Sequence, residues 1–375
     1  MIFHVSLPPR PSIPRQHLAR VVDVLNYVNR RQGSGKAFFA AASCRGVLAY
    51  VVWSRIFECM KIAVIGAMGH IGTYLVPRLV QEGHEVIAVS RGNRKPYHDT
   101  GIWRFVTPVM LDRAHEEADR AFGARIAALG ADAVIDLICF NQESAEQMVG
   151  SLEGRIGHYL VCGTIWVHGH STVVPATESL PRMPFGEYGI RKAEMEFWLL
   201  RRAHQSGFPA TILHPGHIVG PGWVPLNPAG NFNPDVFRDL AAGRKLTLPN
   251  LGMETVHHVH ADDVAQAFCR ALACRSSSLG EAFHVVSPAA LTLRGYAEAV
   301  ARHFGKEASL SFLPWEDWKR AANPADAGAT EDHIMHSPNS SIEKARARLG
   351  YDPRYSSLEA VFESIDWLAD HGWHI

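Results

Sequence analysis

Three glycines between an apolar run and a helical pattern constrain this chain more than any other feature. Residues 60–80 read MKIAVIGAMGHIGTYLVPRLV. Segment 61–65 has the length and character of a buried parallel strand, and 73–83 has the apolar spacing of a helix. Glycines between them allow a tight turn and let main-chain N–H groups and a helix N-terminus approach a phosphate. This context predicts a pyrophosphate site, with contacts from Gly66, Met68, Gly69, His70, Ile71 and Gly72.

Strands alternate with helices from residue 60 to residue 215. The predicted strands are 61–65, 84–90, 103–110, 131–139, 156–164 and 209–215, and the predicted helices are 73–83, 115–130, 142–152 and 186–207. Such alternation implies parallel pairing through right-handed crossovers, which predicts an α/β fold with a doubly wound sheet. A long Gly-, Pro- and Asn-rich loop follows residue 215, and loops of that length in compact domains are usually functional.

The first 59 residues differ from the rest in charge and order. They carry eight Lys/Arg and two Asp/Glu, whereas residues 60–375 carry 29 and 35. The apolar stretch 37–53 is interrupted by Arg45 and Gly46 and is shorter than the ~20 residues that span a bilayer. The segment is interpreted as a targeting or membrane-touching extension, as a packed addition, or as a non-native extension upstream of a true start at Met60. The last is favoured, and 1–59 is expected to be poorly ordered or loosely docked.

The cysteine pattern and the charge distribution indicate in which compartment the protein functions and which kinds of partner it binds. Six cysteines include no CxxC pair, which favours buried thiols in a reducing, cytoplasmic location over a disulfide framework. The acidic balance of 60–375 argues against nucleic acid as a partner, and no membrane association is expected for this part. The spacing of Cys269 and Cys274 fits a metal site poorly.

The residues at the end of the second strand indicate whether the cofactor is NAD or NADP. An acidic residue there would favour NAD, but the sequence reads Ser90-Arg91-Gly92-Asn93-Arg94-Lys95. Cations and a hydroxyl suit a 2′-phosphate, so NADP is favoured over NAD, although Arg91 could instead only stack on adenine. Asp112, past the third strand, is a candidate adenine contact. Leu137 and Pro215, at the fourth and sixth strands, complete the candidate cofactor contacts.

Tyr188 and Lys192 lie four residues apart, on one face of the predicted helix 186–207. A lysine ammonium beside a phenol is expected to lower the pKa of the phenol, which makes tyrosine a usable proton donor or acceptor. Thr164, after the fifth strand, can present a hydroxyl to a substrate oxygen. Together these residues predict an acid/base centre.

These motifs resemble the extended short-chain dehydrogenase/reductase superfamily of the NAD-dependent epimerase/dehydratase type. GTIWVHG (163–169) is similar to the family's S-S-x-x-V-Y-G, and HPGHIVGPG (214–222) to its R-P-x-x-x-Y-G-P. VHADDVAQAF (259–268) and the segment 341–368 also match family stretches. The resemblance covers 60–375. It implies a Rossmann domain with a small C-terminal substrate domain, built mainly from about 215–260 and 288–375.

The same resemblance implies the site roles. Tyr188 would be the acid/base, Lys192 would hold the nicotinamide ribose, and Thr164 would orient the substrate during hydride transfer. The chain departs from the pattern at His168, which replaces the tyrosine of V-Y-G, and at His214, which replaces the arginine of R-P. The arginine that often binds a nucleotide-sugar diphosphate is also missing ahead of residue 259.

The departures favour a neutral or aromatic polyol, ketone or sugar as substrate. The candidate substrate contacts are Trp166, His168, His217, Asn231 and His257. His257, His258 and His260 cannot converge simply from one strand, so no metal site is expected.

Three functions remain open. An epimerase or dehydratase would retain its cofactor, whereas an NADPH-dependent ketone or enone reductase would exchange it. A non-catalytic cofactor-sensing or RNA-binding relative is the alternative from another class. A homodimer through the tyrosine-bearing helix is possible, since Phe197, Trp198 and Leu200 suit either a subunit contact or the core.

Overall fold

A computed structural model describes residues 59–97 and 101–373. The prediction for the N-terminal extension falls almost wholly outside these residues. The strands are β1 Lys61–Ile65, β2 Glu85–Ser90, β3 Thr107–Met110, β4 Ala133–Asp136, β5 His158–Cys162, β6 Ala210–Pro215, β7 His217–Val219, β8 Leu246–Pro249, β9 Thr255–Val256, β10 His258–His260, β11 Glu281–Val285, β12 Leu291–Thr292 and β13 Leu310–Leu313.

Helices separate most of these strands. They are α1 His70–Gln81, α2 Arg113–Ala118, α3 Phe122–Ala127, α4 Gln142–Leu152, α5 Gly186–Ser206, α6 Asp235–Ala241, α7 Ala261–Ala273, α8 Arg275–Ser278, α9 Leu293–His303, α10 Trp315–Ala321, α11 Pro324–His336, α12 Glu343–Leu349 and α13 Ser357–Asp370. Short 3-10 helices cover Ile102–Phe105 and Ile165–His168.

Seven parallel strands form the central sheet, in the order β11-β6-β5-β4-β1-β2-β3. The order reverses between β1 and β4, which pair in parallel from Ile62 with Ala133 to Ile65 with Asp136. In open α/β sheets, ligands bind outside the carboxyl ends of the strands at such a switch point. The Rossmann-type, doubly wound α/β class predicted from the sequence is confirmed.

Apolar residues cover both faces of the sheet. One cluster packs α1 and α7 on β1 and β6, and another packs α3, α4 and α5 on the opposite face. A third cluster draws its buried members from 219–256 and 291–365 alone, with Phe237 and Tyr296 fully buried at its centre. None of its members belongs to the seven-stranded sheet.

Two predicted elements differ in the structure. The predicted strand 103–110 begins as the 3-10 helix Ile102–Phe105, because Ile102, Trp103 and Phe105 all pack on the cluster under α1 and cannot alternate between two faces. The predicted helix 115–130 is interrupted at Arg120, whose φ of +54° is left-handed and ends α2.

The described cysteines Cys59, Cys139, Cys162, Cys269 and Cys274 are free thiols, as the sequence predicted. Phe197 on α5 is 67% exposed, whereas Trp198 and Leu200 pack against the core. Within residues 59–97 and 101–373, no helix combines the length and apolar character that crossing a membrane requires.

Buried histidines make the stability of this scaffold sensitive to acid. Burial lowers the pKa of His84 to about 4 and that of His158 to about 3. Such a group contributes stability fully above the ordinary value of 6.5 and loses it as the pH falls toward the folded pKa. We therefore expect the free energy of unfolding in urea to fall between about pH 7.5 and 5.5, by about 1.4 kcal/mol for each such histidine. A His158→Gln variant should show a shallower fall, and an equal fall in both proteins would contradict this assignment.

Candidate active site

The glycine-rich loop leaves main-chain donors open at the start of α1. Gly66 has a φ of +83°, and a Cβ on Gly72 would lie 2.2 Å from the carbonyl oxygen of Ala67. Gly69 is the N-cap residue, it supplies no side-chain cap, and the first turn of α1 contains no acidic residue. The first N–H groups of the helix therefore remain available to an anion. This geometry fits the pyrophosphate of a dinucleotide.

A cavity of about 440 Å³ extends from this loop over the ends of β2 and β3. Its lining includes the predicted cofactor contacts Gly66, Met68, Gly69, Ser90, Arg91 and Asp112. The Ser90 hydroxyl accepts a hydrogen bond from Gly92 N at 3.2 Å. Asp112 Oδ1 accepts one from Ala114 N at 3.1 Å and so caps α2. The cavity has the position expected for the adenosine half of a dinucleotide.

An ion pair supports the wall of this cavity. Arg113 Nη1 donates to both carboxylate oxygens of Asp136, at 2.7 and 2.9 Å. The Tyr159 hydroxyl and Ile138 N also donate to this carboxylate. Asp136 is fully buried at the end of β4, next to the switch point of the sheet. The pair therefore fixes α2 to the strand that borders the cofactor cleft.

A second cavity, of about 600 Å³, continues from the loop across the ends of β5 and β6. It brings together the predicted residues Gly66, Gly69, His70, Ile71, Leu137, Thr164, Trp166, Tyr188, Lys192, Pro215 and His217. The two cavities share Gly66, Gly69 and Arg94 in their linings. A dinucleotide that lies across the loop could thus reach both.

The predicted acid/base residues meet at the floor of the second cavity. Tyr188 and Thr164 both line this cavity, and their side chains interact. Lys192 Nζ donates to the carbonyl oxygens of Cys139 and Cys162, both at 2.7 Å, and lies 6.0 Å from the ring centroid of Tyr188. The arrangement pairs a phenol and an aliphatic hydroxyl beside a buried ammonium.

The pKa of Tyr188 differs from the expectation. Tyr188 is 44% exposed and lines the cavity, and its side chain interacts with that of Thr164. Burial raises the pKa of Tyr188 to about 12, which outweighs the lowering by Thr164. Lys192 Nζ lies 6.0 Å from the ring centroid of Tyr188 and is not among the groups that shift this pKa. At neutral pH the phenol is therefore protonated and is a proton donor.

Four predicted residues lie outside both cavity linings. Gly72 packs against Ala67, and His168 points into a buried histidine cluster. Asn231 is buried in a network with Asn227 and Thr330. His257 lies between β9 and β10, where its ring nitrogens bind Ser287 O and Ser340 N. None of the last three side chains lines either cavity: those of Asn231 and His257 already have partners in the interior, and that of His168 faces other buried histidines.

Several cavity residues were not among the predicted contacts. Those whose side chains differ most from the predicted set include Arg94, Phe140, Trp223, Leu226, Phe232 and His333. Arg94 belongs to the cationic run after β2, and Phe140 follows β4 closely, so position in the sheet could have indicated both. The ring of His70 stacks on that of Trp223, with centroids 5.1 Å apart. His333 lies on α11, more than a hundred residues further along the chain, and carries no local signal.

Aromatic rings form the wall opposite the glycine loop. Trp166 contacts the edge of Tyr188 at 5.9 Å and stacks on His336 at 4.1 Å, measured between ring centroids. His217 and His333 lie 4.6 Å apart on the same side. Burial, followed by neighbouring histidines, lowers the pKa of His217 well below its ordinary value. This wall is uncharged at neutral pH.

Known proteins with similar sequences have several functions. The chain is 27% identical over 318 residues to the chloroplast stem-loop binding protein of 41 kDa b from Arabidopsis thaliana, covering 82% of this chain and 78% of that protein. It is 26% identical over 269 residues to 2'-dehydrokanamycin reductase from Streptomyces kanamyceticus, covering 69% and 71%. It is 23% identical over 333 residues to UDP-glucose 4-epimerase from Mycolicibacterium smegmatis, covering 82% and 98%.

Solved structures share the fold. UDP-glucose 4-epimerase from Thermotoga maritima, solved with UDP-glucose, has a TM-score of 0.64 at 18% identity, covering 83% of this chain and 99% of that one. The dTDP-glucose 4,6-dehydratase from Bacillus anthracis, solved in complex with NAD, has a TM-score of 0.65 at 17% identity, covering 84% and 99%.

The family assignment rests on the domain that carries the site. The model of the NAD dependent epimerase/dehydratase family matches residues 62–285. This range contains the glycine-rich loop, Thr164, Tyr188 and Lys192, and it ends with the last strand of the central sheet. The chain therefore belongs to the NAD dependent epimerase/dehydratase family, within the extended short-chain dehydrogenase/reductases.

Proposed function

We propose that this chain is an NAD(P)-dependent oxidoreductase that acts on a neutral hydroxyl or carbonyl compound. Tyr188 exchanges the proton with the substrate oxygen, Thr164 orients that oxygen, and a bound nicotinamide supplies or accepts the hydride. The observation that carries the proposal is that Tyr188, Thr164 and Lys192 line the cavity that begins at the glycine-rich loop, where the side chains of Tyr188 and Thr164 interact.

Lys192 has a geometry suited to holding a ribose. An ammonium has three protons to donate, and two of them are taken by the carbonyls of Cys139 and Cys162. The third can be donated to a ribose hydroxyl. The two carbonyls fix the side chain, so the lysine is positioned before the nucleotide binds.

The lining of the second cavity favours a neutral substrate. Trp166, His217 and Phe232 present rings, and Leu226 adds an aliphatic surface. In the described part of the chain, the lining includes one guanidinium, Arg94, and that group also borders the adenosine side. A substrate with a diphosphate would lack a second arginine to bind it.

The nucleotide itself tests the proposal. We expect purified protein to bind NADH or NADPH in a fluorescence titration, after any retained nucleotide has been released and identified by mass. Tightly retained NAD would indicate a self-contained cycle of oxidation and reduction, as in an epimerase or dehydratase. An empty site that selects NADPH would indicate a reductase of ketones or enones. Failure to bind either would contradict the proposal.

We further propose that NADP is preferred, because Arg91 and Ser90 lie at the cavity edge where a 2′-phosphate would lie. Replacing Arg91 with alanine should weaken NADPH binding roughly tenfold and leave NADH binding unchanged, since a hydrogen bond to a charged group contributes about 1.5 kcal/mol. Arg125→Ala, at a surface ion pair on α3, is the control. Equal weakening of both nucleotides by Arg91→Ala would mean that Arg91 only stacks on adenine.

Binding to an RNA stem-loop is the second candidate, favoured by the name of the Arabidopsis relative. The retained Thr164, Tyr188 and Lys192 favour catalysis instead. Fluorescence anisotropy with a hairpin RNA at two salt concentrations separates the two. Micromolar, salt-dependent binding without nucleotide binding would support the non-catalytic candidate.

A further inference from the structure

Three histidines from distant parts of the chain converge behind the active site. His168 ends the 3-10 helix after β5, His214 lies on β6, and His284 lies on β11. The parallel pairing of β6 and β11 places His214 directly beside His284. One ring nitrogen from each of the three lies within 4.8 Å of the others, and all three residues are at most 9% exposed.

A carboxylate completes the cluster. Glu196 on α5 is 2% exposed, and its Oε2 lies 2.6 Å from Nε2 of His214. Its other oxygen, Oε1, accepts hydrogen bonds from Nε and Nη2 of Arg182 at 2.9 and 2.7 Å. Arg182 therefore fixes the carboxylate so that Oε2 faces the histidines.

The hydrogen bonds among the described residues satisfy this cluster only in part. Nε2 of His214 and Oε2 of Glu196 form an ion pair at 2.6 Å, but neither atom makes a hydrogen bond of good geometry. Nε2 of His168 and Nε2 of His284 are hydrogen-bonded at 2.8 Å, whereas Nδ1 of His168 and Nδ1 of His214 are buried without a hydrogen-bond partner among the described residues. Nδ1 of His284 lies 3.2 Å from Ser341 O, which directs its Nε2 inward. Buried polar atoms of this kind require an explanation, and an ion between them is one.

We propose that His168, His214, His284 and Glu196 bind one zinc ion. Three imidazole nitrogens and one carboxylate oxygen make a tetrahedral donor set with bonds of about 2.0–2.2 Å, so neighbouring donors would be about 3.3 Å apart. Nitrogen donors favour zinc over calcium or magnesium. A backbone carbonyl on the other nitrogen of His284 is the usual outer partner of a metal-binding histidine.

The surroundings of the cluster indicate how an ion could enter the site and what the ion would stabilise. A surface cleft of about 490 Å³ is lined by Glu178, Arg182 and Glu196, so an ion can reach the carboxylate from solvent. Four protein ligands leave no open position, which makes the site structural. The ion would fix α5, the helix that carries Tyr188 and Lys192, to the β6–β11 side of the sheet.

The sequence predicted no metal site, either at Cys269 and Cys274 or at the neighbouring histidines of 257–260. The present site has no spacing motif, because its members are separated by dozens of residues. It is independent of the proposed redox function, since none of its residues lines the two cavities described above.

Cobalt(II) is the probe that tests this site. After chelator treatment, the full chain should bind one cobalt ion and show the visible absorption of tetrahedral coordination, and one equivalent of zinc should remove that absorption. His284→Gln and Glu196→Gln should each weaken binding at least tenfold. His158→Gln is the matched control, because His158 is equally buried on the neighbouring strand β5, where it bonds to Thr211.

The outcomes are decisive without any enzyme assay. Tetrahedral cobalt bound at one equivalent, lost in His284→Gln and kept in His158→Gln, would support the zinc site. Absence of stoichiometric binding by the wild-type chain would overturn it, as would unchanged binding in His284→Gln. If His284→Gln does not fold, the isosteric Glu196→Gln supplies the comparison, and unchanged cobalt affinity in that variant would equally overturn it.

Discussion

Replacing Tyr188 with phenylalanine is expected to reduce turnover by roughly 10²- to 10⁴-fold, the usual contribution of a positioned acid or base. The change removes only the Tyr188 hydroxyl and leaves the ring on the edge of Trp166. Nucleotide affinity should therefore be unchanged. The measurement is steady-state turnover of the hydroxyl or carbonyl compound that oxidises or reduces the bound nucleotide.

Tyr97→Phe is the control for this variant. Tyr97 contacts the edge of His70 through its ring, with centroids 5.9 Å apart, and the hydroxyl has no part in the proposed chemistry. The control should keep the turnover of the wild-type enzyme. Full turnover by Tyr188→Phe would remove the acid/base role from the proposal, even if nucleotide binding were intact.

The pH dependence of the same reaction follows from the raised pKa of Tyr188. Burial raises that pKa to about 12, so the phenol of the nucleotide-free chain is protonated across the neutral range. Reduction of a carbonyl consumes a proton and suits this state, whereas oxidation of an alcohol would accelerate with rising pH. We therefore expect the rate of carbonyl reduction to be constant across the neutral range and the rate of alcohol oxidation to rise with pH, as measured by initial rates in each direction.

Removing Arg113 is expected to destabilise the fold by about 3–5 kcal/mol, because the buried carboxylate of Asp136 would lose its counter-ion. In Arg113→Met, only the Tyr159 hydroxyl and Ile138 N would still donate to this carboxylate. Equilibrium unfolding in urea measures the loss. The wall of the adenosine-side cavity should also loosen, so nucleotide affinity should fall with stability.

A surface pair provides the comparison for this prediction. Arg125 lies 3.3 Å from Glu116 and is 57% exposed, so Arg125→Met should change the free energy of unfolding by about 0.5 kcal/mol or less. The double variant Arg113→Met with Asp136→Asn should be more stable than the sum of the two single changes, since most of the loss comes from an unpaired charge. Losses that add, or a small loss in Arg113→Met, would contradict the assignment.

Local sequence patterns were sufficient for the main parts of the fold. The apolar runs that form β1, β4 and β5 are short and are each followed by a helix. Strands connected through helices pair in parallel by right-handed crossovers, so the parallel sheet could be predicted. Tyr188, Lys192 and Thr164 could be placed together because each lies near the same edge of that sheet. The predicted helix 115–130 was wrong at Arg120, because a residue with a left-handed backbone conformation does not alter the helical spacing of the apolar residues around it.

Residue type and loop position predicted the substrate contacts less well than hydrophobic spacing predicted the fold. His168, Asn231 and His257 were expected to contact substrate because they lie in loops beside the site, but their side chains turn into the interior. Whether a loop side chain faces a cavity depends on what packs behind the loop. Partners such as Thr330 and Ser340 come from the C-terminal part of the chain. The sequence pattern around the loops does not indicate these distant partners.

The sequence by itself determined the doubly wound sheet and the glycine turn that opens α1, because short-range periodicity and glycine geometry specify these features. Only the tertiary structure decided that His333 and His336 complete the aromatic wall, that Lys192 is held by two carbonyls, and that His168, His214 and His284 meet at Glu196. Each of these contacts joins segments far apart along the chain. The packing of the subdomain on the sheet sets such distances, and neighbouring residues in the sequence carry no record of them.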